Sequence, residues 1–236
     1  MQTAIASRLT QSIRGAGQTS QPEKQFCKKC NGEGWIVRDV EGLGREAFPC
    51  DCQIPARVAR HIPTLYRSAR LADFKVTTIE RVMEFFSKPD SLGLLISGPT
   101  GVGKTYLAAA ITRELIEIRE ESLFLEVSRL YSELRGCMKR DESEESLIAQ
   151  YVNARWLVLD DFGAGALTDF ERRYALDLLN GRANAKRKTI LTTNLQLEEI
   201  AEKVDERIAS RLSGFDYIEA QGKDRRAQSR FSPPVS

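Results

Sequence analysis

From about residue 77 onwards the chain alternates between two patterns of apolar and polar residues. Short runs of consecutive apolar residues mark strands buried on both faces. They fall at Leu92–Ser97, Leu123–Val127, Trp156–Asp160, Thr189–Thr193 and Phe215–Glu219. Between them, apolar residues recur at helical spacing. Helices are expected over Thr78–Ser87, Lys104–Glu120, Ser128 to about Lys139, about Ser146 to Asn153, and Thr168–Ala185 with Thr168 as N-cap. An acidic break at Asp141–Glu145 separates the third from the fourth, and short helices follow at Leu197–Lys203 and Asp205–Leu212. Strands spaced by helices predict an α/β fold, a parallel sheet covered by helices on both faces.

The upstream third is different. Residues 1–25 are rich in Gln, Ser, Thr and Gly, with one faint amphipathic pattern (Ile5, Leu9, Ile13), and read as a flexible N-terminus. Residues 26–55 hold four of the five cysteines with Gly32, Gly34, Gly42 and Gly44, a composition of tight turns and short strands. Residues 56–76 read as a linker, with Pro55 and Pro63 interrupting any long helix. The α/β domain is expected over 77–228 and a flexible tail over 229–236.

Composition narrows the function. The chain is 42% hydrophobic and 29% charged, enough to bury a sizeable core. Lys and Arg exceed Asp and Glu by only two, so nucleic-acid binding would need a local patch rather than a global charge. No apolar run approaches the roughly 20 residues of a membrane span, so a cytoplasmic protein without membrane contact is expected. A single histidine argues against a His-based hydrolase.

Chemistry enters at Gly98-Pro99-Thr100-Gly101-Val102-Gly103-Lys104-Thr105, a complete G-x-x-x-x-G-K-[ST] placed between an apolar strand and a helix. Its glycines let backbone N–H groups wrap phosphates at a helix N-terminus. Lys104 would reach the β- and γ-phosphates of ATP, and the Thr105 hydroxyl would ligate Mg²⁺. The apolar stretch Trp156–Asp161 ends in two carboxylates. Asp160 would face that Mg²⁺, while Asp161 could orient or activate the attacking water. Many P-loop ATPases carry Glu at the second position, and the shorter Asp predicts slow hydrolysis. Asn194 ends the next buried strand, where it could hydrogen-bond the γ-phosphate or the water; taken alone, it would be an ordinary turn residue.

Cys27-x2-Cys30 and Cys50-x-Cys52 offer four thiolates, the tetrahedral set that Zn²⁺ prefers. Zinc would hold together a module too small for its own core. Reduced free cysteines and an iron–sulfur or redox role are the alternatives.

Gly98–Thr105, Trp156–Gly163, Thr192–Asn194 and Arg207-Ile208-Ala209-Ser210-Arg211-Leu212 together resemble the AAA+ ATPases of the DnaC/IstB type, over about residues 60–227. That group contains bacterial and phage helicase loaders and transposition helper ATPases. The likeness includes the approach segment from Ile62-Pro63 to Phe74 and a closing Gly222-Lys223-Asp224-Arg225-Arg226. Cys27–Gly34 also resembles zinc modules that precede the ATPase domain in some helicase loaders.

The resemblance implies a site completed by a neighbouring subunit, with Arg211 as the arginine finger and Arg207 as second choice. It also implies that Arg226 lies near the nucleotide. The alternative on the residues alone is that Arg207 and Arg211, four apart on a helix, are solvated and pair with Asp205 or Glu206. An ATPase completed in trans assembles head to tail into a ring or spiral. In this group a helix after the second strand contacts DNA. Here Ser128–Arg140 offers Arg129, Arg135, Lys139 and Arg140 with Tyr131 for single-stranded DNA, diluted by Glu133.

The leading expectation is therefore a helicase loader that binds a replicative helicase hexamer and single-stranded DNA. The alternative is a transposition helper ATPase acting with a transposase. A small-molecule kinase and a nucleotide-dependent adapter that barely hydrolyses ATP stand further back.

Overall fold

The computed structural model describes residues 27–40 and 44–222. It opens with two antiparallel strands, β1 (Trp35–Val40) and β2 (Gly44–Pro49), in which Trp35 pairs with Pro49 and Ile36 with Phe48. Helix α1 (Ile54–His61) and α2 (Val76–Ser87) lead to β3 (Gly93–Ser97) and the long α3 (Lys104–Glu117). Next come β4 (Ser122–Glu126), α4 (Val127–Arg140), α5 (Glu144–Asn153) and β5 (Trp156–Phe162). The chain closes with α6 (Asp169–Asn184), β6 (Lys188–Thr193), α7 (Leu197–Lys203), α8 (Glu206–Leu212) and β7 (Asp216–Glu219). Strands β3 to β7 form one parallel sheet in the order β4-β5-β6-β3-β7.

Alternation along each buried strand supplies both faces of the sheet. Leu94, Ile96, Val158 and Ile190 pack with Leu107, Ile111 and Leu115 of α3 and with Val82, Phe85 and Phe86 of α2. Leu95, Leu157, Leu159 and Leu191 pack on the other face against α4, α6 and α8, through Leu130, Leu134, Leu178 and Ile208. Each such side chain contributes about 1.5–3 kcal/mol of burial. The loop Gly98–Thr105, Asp160, Asp161 and Asn194 are thereby carried to the carboxyl ends of β3, β5 and β6, where an open α/β sheet binds its ligands.

Most expected elements are present, with shifts that have local causes. The Ser143 hydroxyl accepts from Ser146 N–H at 3.1 Å and starts α5 two residues early. Helix α3 stops at Glu117 because Arg119 adopts a left-handed φ of 67°. Thr168 caps α6 as expected, completing a capping box with Glu171.

The stretch read as a linker is folded into the core. Val58, Ile62, Ala69 and Leu71 are buried there beside α2 and α3. Pro55 sits in the first turn of α1, where a missing N–H costs nothing, so it opens the helix instead of interrupting it. The expectations for residues 1–25, with Ile5, Leu9 and Ile13, for Arg226 and for the tail 229–236 lie outside the described residues. Among those described, no helix is long and apolar enough to cross a membrane.

Candidate nucleotide site and cysteine cluster

Three glycines of Gly98–Thr105 hold positive φ: Gly98 at 151°, Gly101 at 82° and Gly103 at 106°. At Gly98 the need is also spatial, since a Cβ would collide with the Ala220 carbonyl beyond β7. Gly103 has open space around it, so its conformation alone requires glycine. The loop ends at the N-terminus of α3, whose first residue is Lys104. Lys104 is buried, and its Nζ donates to Gly98 O at 2.8 Å, Pro99 O at 2.8 Å and Asn194 Oδ1 at 2.6 Å. A charge held so close to the loop is poised for anionic oxygens.

Asp160 is 7% exposed at the end of β5. It accepts from Thr192 Oγ1 at 2.6 Å and from the Thr105 hydroxyl. Burial pushes its carboxyl above the ordinary aspartate range, against these two hydrogen bonds that favour the charged form. A hydroxyl at the start of α3 beside a buried carboxylate is a donor set that fits Mg²⁺. Asp161 is exposed and left-handed (φ 62°), and Asn194 Nδ2 donates to its Oδ1 at 3.3 Å. Asn194 thus bridges Lys104 and Asp161. All five residues border one cleft of about 530 Å³, which Pro63, Tyr66, Tyr106 and Phe124 also line.

Glu126 borders that cleft as well, directly beside Asp160 in the β4–β5 register. Sequence reasoning passed over it, although a carboxylate at the carboxyl end of a predicted strand was the available signal. Tyr66 and Tyr106 carried no comparable signal.

The four cysteines of the N-terminal module converge. Their Sγ atoms all lie within 4.8 Å of one another, with Cys27–Cys50 at 3.7 Å and Cys30–Cys52 at 3.6 Å. Tetrahedral zinc with bonds of about 2.3 Å requires sulfur–sulfur edges of about 3.8 Å, so the set could hold Zn²⁺. Gly34 N–H donates to Cys30 Sγ at 3.2 Å. The backbone N–H groups of Lys29 and Cys30 bring the Cys27 thiol down to about 7. Asp51, between the last two cysteines, binds Lys29 at 3.0 Å and Arg119 after α3 at 2.7 Å, fastening the cluster to the sheet domain.

A model of the family described as IstB-like ATP binding protein matches residues 63–213. The chain belongs to this family. Among its relatives is the replicative helicase loader DnaC of Escherichia coli K12, 30% identical over 119 residues, which are 50% of this chain and 49% of that protein. The ATP-binding protein assigned to insertion sequence IS1162 of Pseudomonas fluorescens is 33% identical over 161 residues, 65% of this chain and 69% of the relative. A crystal structure of DnaI superposes with a TM-score of 0.59 at 26% identity, covering 68% of this chain and 95% of that one. The chain spans about half the length of the DnaC relatives it matches.

Within this IstB-like chain, Arg207 and Arg211 stand apart from the nucleotide cleft. They border a second cleft, between α6 and α8, that shares no lining residue with the first. Arg207 is committed to Asp205 through Nε at 3.1 Å and Nη2 at 2.9 Å. Arg211 donates to Asn180 Oδ1 at 2.5 Å. On α4, Tyr131 is 3% exposed and packed into the core, so it is not available for base stacking. Arg129, Arg135 and Arg140 are salt-bridged to Glu133, Glu171 and Glu142.

Proposed function

We propose that this protein is an ATP-dependent helicase loader, built from a zinc module over residues 26–55 and an AAA+ ATPase domain whose core takes in the following segment 56–76. The nucleotide reading rests on one observation: Lys104, Thr105, Asp160, Asp161 and Asn194 converge on a single cleft at the carboxyl ends of β3, β5 and β6.

In the proposed cycle the loop Gly98–Thr105 takes the triphosphate through its N–H groups, and Lys104 exchanges the Gly98 and Pro99 carbonyls for phosphate oxygens. Thr105 and Asp160 would hold Mg²⁺, which would supply charge neutralisation to the bound triphosphate. Asp161 accepts the proton of the attacking water, and Asn194, already hydrogen-bonded to both Lys104 and Asp161, positions that water. Arg211 of a neighbouring copy completes the site, so hydrolysis follows head-to-tail assembly into a ring or spiral. Hydrolysis is slow in the free protein and rises with assembly or DNA.

The zinc module ahead of the ATPase domain favours the loader, with that module gripping the helicase hexamer and the ATPase domain holding single-stranded DNA. A second reading, a transposition helper acting with a transposase, is favoured by the match to the IS1162 protein, which covers more of both chains than the match to DnaC.

Light scattering of the intact chain mixed with a replicative helicase hexamer, in ATP and Mg²⁺, separates the two. A complex that Lys104→Ala abolishes is the expected result. If the chain ignores the helicase and binds a transposase with duplex DNA instead, the loader reading fails and the transposition reading replaces it.

A further inference from the structure

Strand β5 does not run regularly into the site. Leu159 pairs with Leu191 and Phe162 with Thr193, so Asp160 and Asp161 stand opposite Thr192 alone. This is a bulge, two residues facing one. In a regular strand the two carboxylates would point to opposite faces of the sheet. The bulge, with Asp161 in a left-handed conformation that costs a non-glycine residue about 1–2 kcal/mol, turns both toward the same cleft.

One hydroxyl spans the irregularity. Thr192 Oγ1 donates its only proton to Asp160 Oδ1 at 2.6 Å and accepts from the Asp161 N–H at 2.9 Å, within the register shift. Thr192 is 1% exposed and does not line the nucleotide cleft. It therefore acts only through its neighbours.

We propose that Thr192 is a positioning residue whose hydroxyl locks the β5 bulge and fixes which Asp160 oxygen is free to meet a divalent cation. This rests on the nucleotide reading above. Valine has the same shape and can make neither bond; serine can make both.

The test is titration of the intact protein with a fluorescent ATP analogue, first in EDTA and then across a Mg²⁺ series, alongside turnover. Thr192→Val is expected to bind the analogue in EDTA within about twofold of wild type. Its Mg²⁺ half-saturation should rise about 10–100-fold, the usual consequence of removing a partner of a metal ligand. Its kcat should fall far more than its KM changes, and Thr192→Ser should restore both. In an Asp160→Asn background the valine should add nothing further. If Thr192→Val does not fold, Thr192→Ala carries the same expectation.

An unchanged Mg²⁺ response and unchanged kcat in the valine variant overturn the inference, as does a serine variant as impaired as valine. Wild type that binds no ATP analogue at all overturns the nucleotide reading, and this inference with it.

Discussion

Arg182 shows how one side chain can hold three elements together without an ionic partner among the described residues. It is 1% exposed on α6, and its guanidinium donates to the carbonyls of Tyr151 (2.6 Å), Ala154 (2.8 Å) and Lys188, and to Thr189 Oγ1 (2.8 Å). Those carbonyls lie at the C-terminal end of α5 and the start of β6, so the cation also faces the negative end of a helix. Burial brings its pKa down to about 9, still charged near neutrality. Replacing it with a residue of similar length and no donors strands several buried carbonyls, each worth about 1–3 kcal/mol. Arg182→Met is therefore expected to lose more than about 3 kcal/mol in urea unfolding. A loss below 1 kcal/mol would show that water satisfies those carbonyls instead.

The β1–β2 hairpin is the element least able to stand alone. A two-stranded hairpin is marginal in water, and Trp35 and Val37 are each 56% exposed. What holds it is the cysteine cluster and the Lys29–Asp51–Arg119 bridge, which ties it to the end of α3. Arg57 of α1 reinforces that junction by donating to the Glu120 carbonyl at 3.0 Å. The purified protein should contain one zinc per chain by elemental analysis, and Cys30→Ser should lose it. Hydrogen exchange should then show fast exchange over residues 35–49 while β3, β5 and β6 stay protected. Protection over 35–49 that persists without metal would mean that packing alone supports the hairpin.

For the whole molecule, the decisive fact is that Arg211 and the nucleotide cleft do not meet within one chain. A finger supplied by a neighbour makes hydrolysis a property of the assembly and is worth a large rate factor. Arg211→Ala and Asp161→Asn should each be inactive alone. Mixing them should recover part of the ATPase rate, because some interfaces then pair an intact cleft with an intact Arg211. If mixing recovers nothing while the two variants still co-assemble, Arg211 does not act in trans. Arg207, held by Asp205 through two side-chain bonds, is expected to matter less in the same assay.

The sequence by itself determined the sheet, its helices and the phosphate loop, because each is written in consecutive residues. Eight successive positions spell Gly98–Thr105, and the apolar run Trp156–Asp160 announces both a buried strand and the acids at its end. The convergent cysteines were legible too, since two close pairs around a turn-rich segment leave little freedom of placement.

Tertiary structure alone decided the features that depend on neighbours distant in sequence. Residues 56–76 look like a linker until α2 and α3 offer an apolar surface for Val58, Ile62 and Leu71. Tyr131 looks available to DNA until the α4 face that carries it turns into the core. The bulge that aims Asp160 and Asp161 together is bridged by the Thr192 hydroxyl across the ladder, 31 residues from Asp161. A strand pattern records which residues are apolar, but not which hydroxyl will stand opposite an extra residue, and that choice places both carboxylates at the cleft.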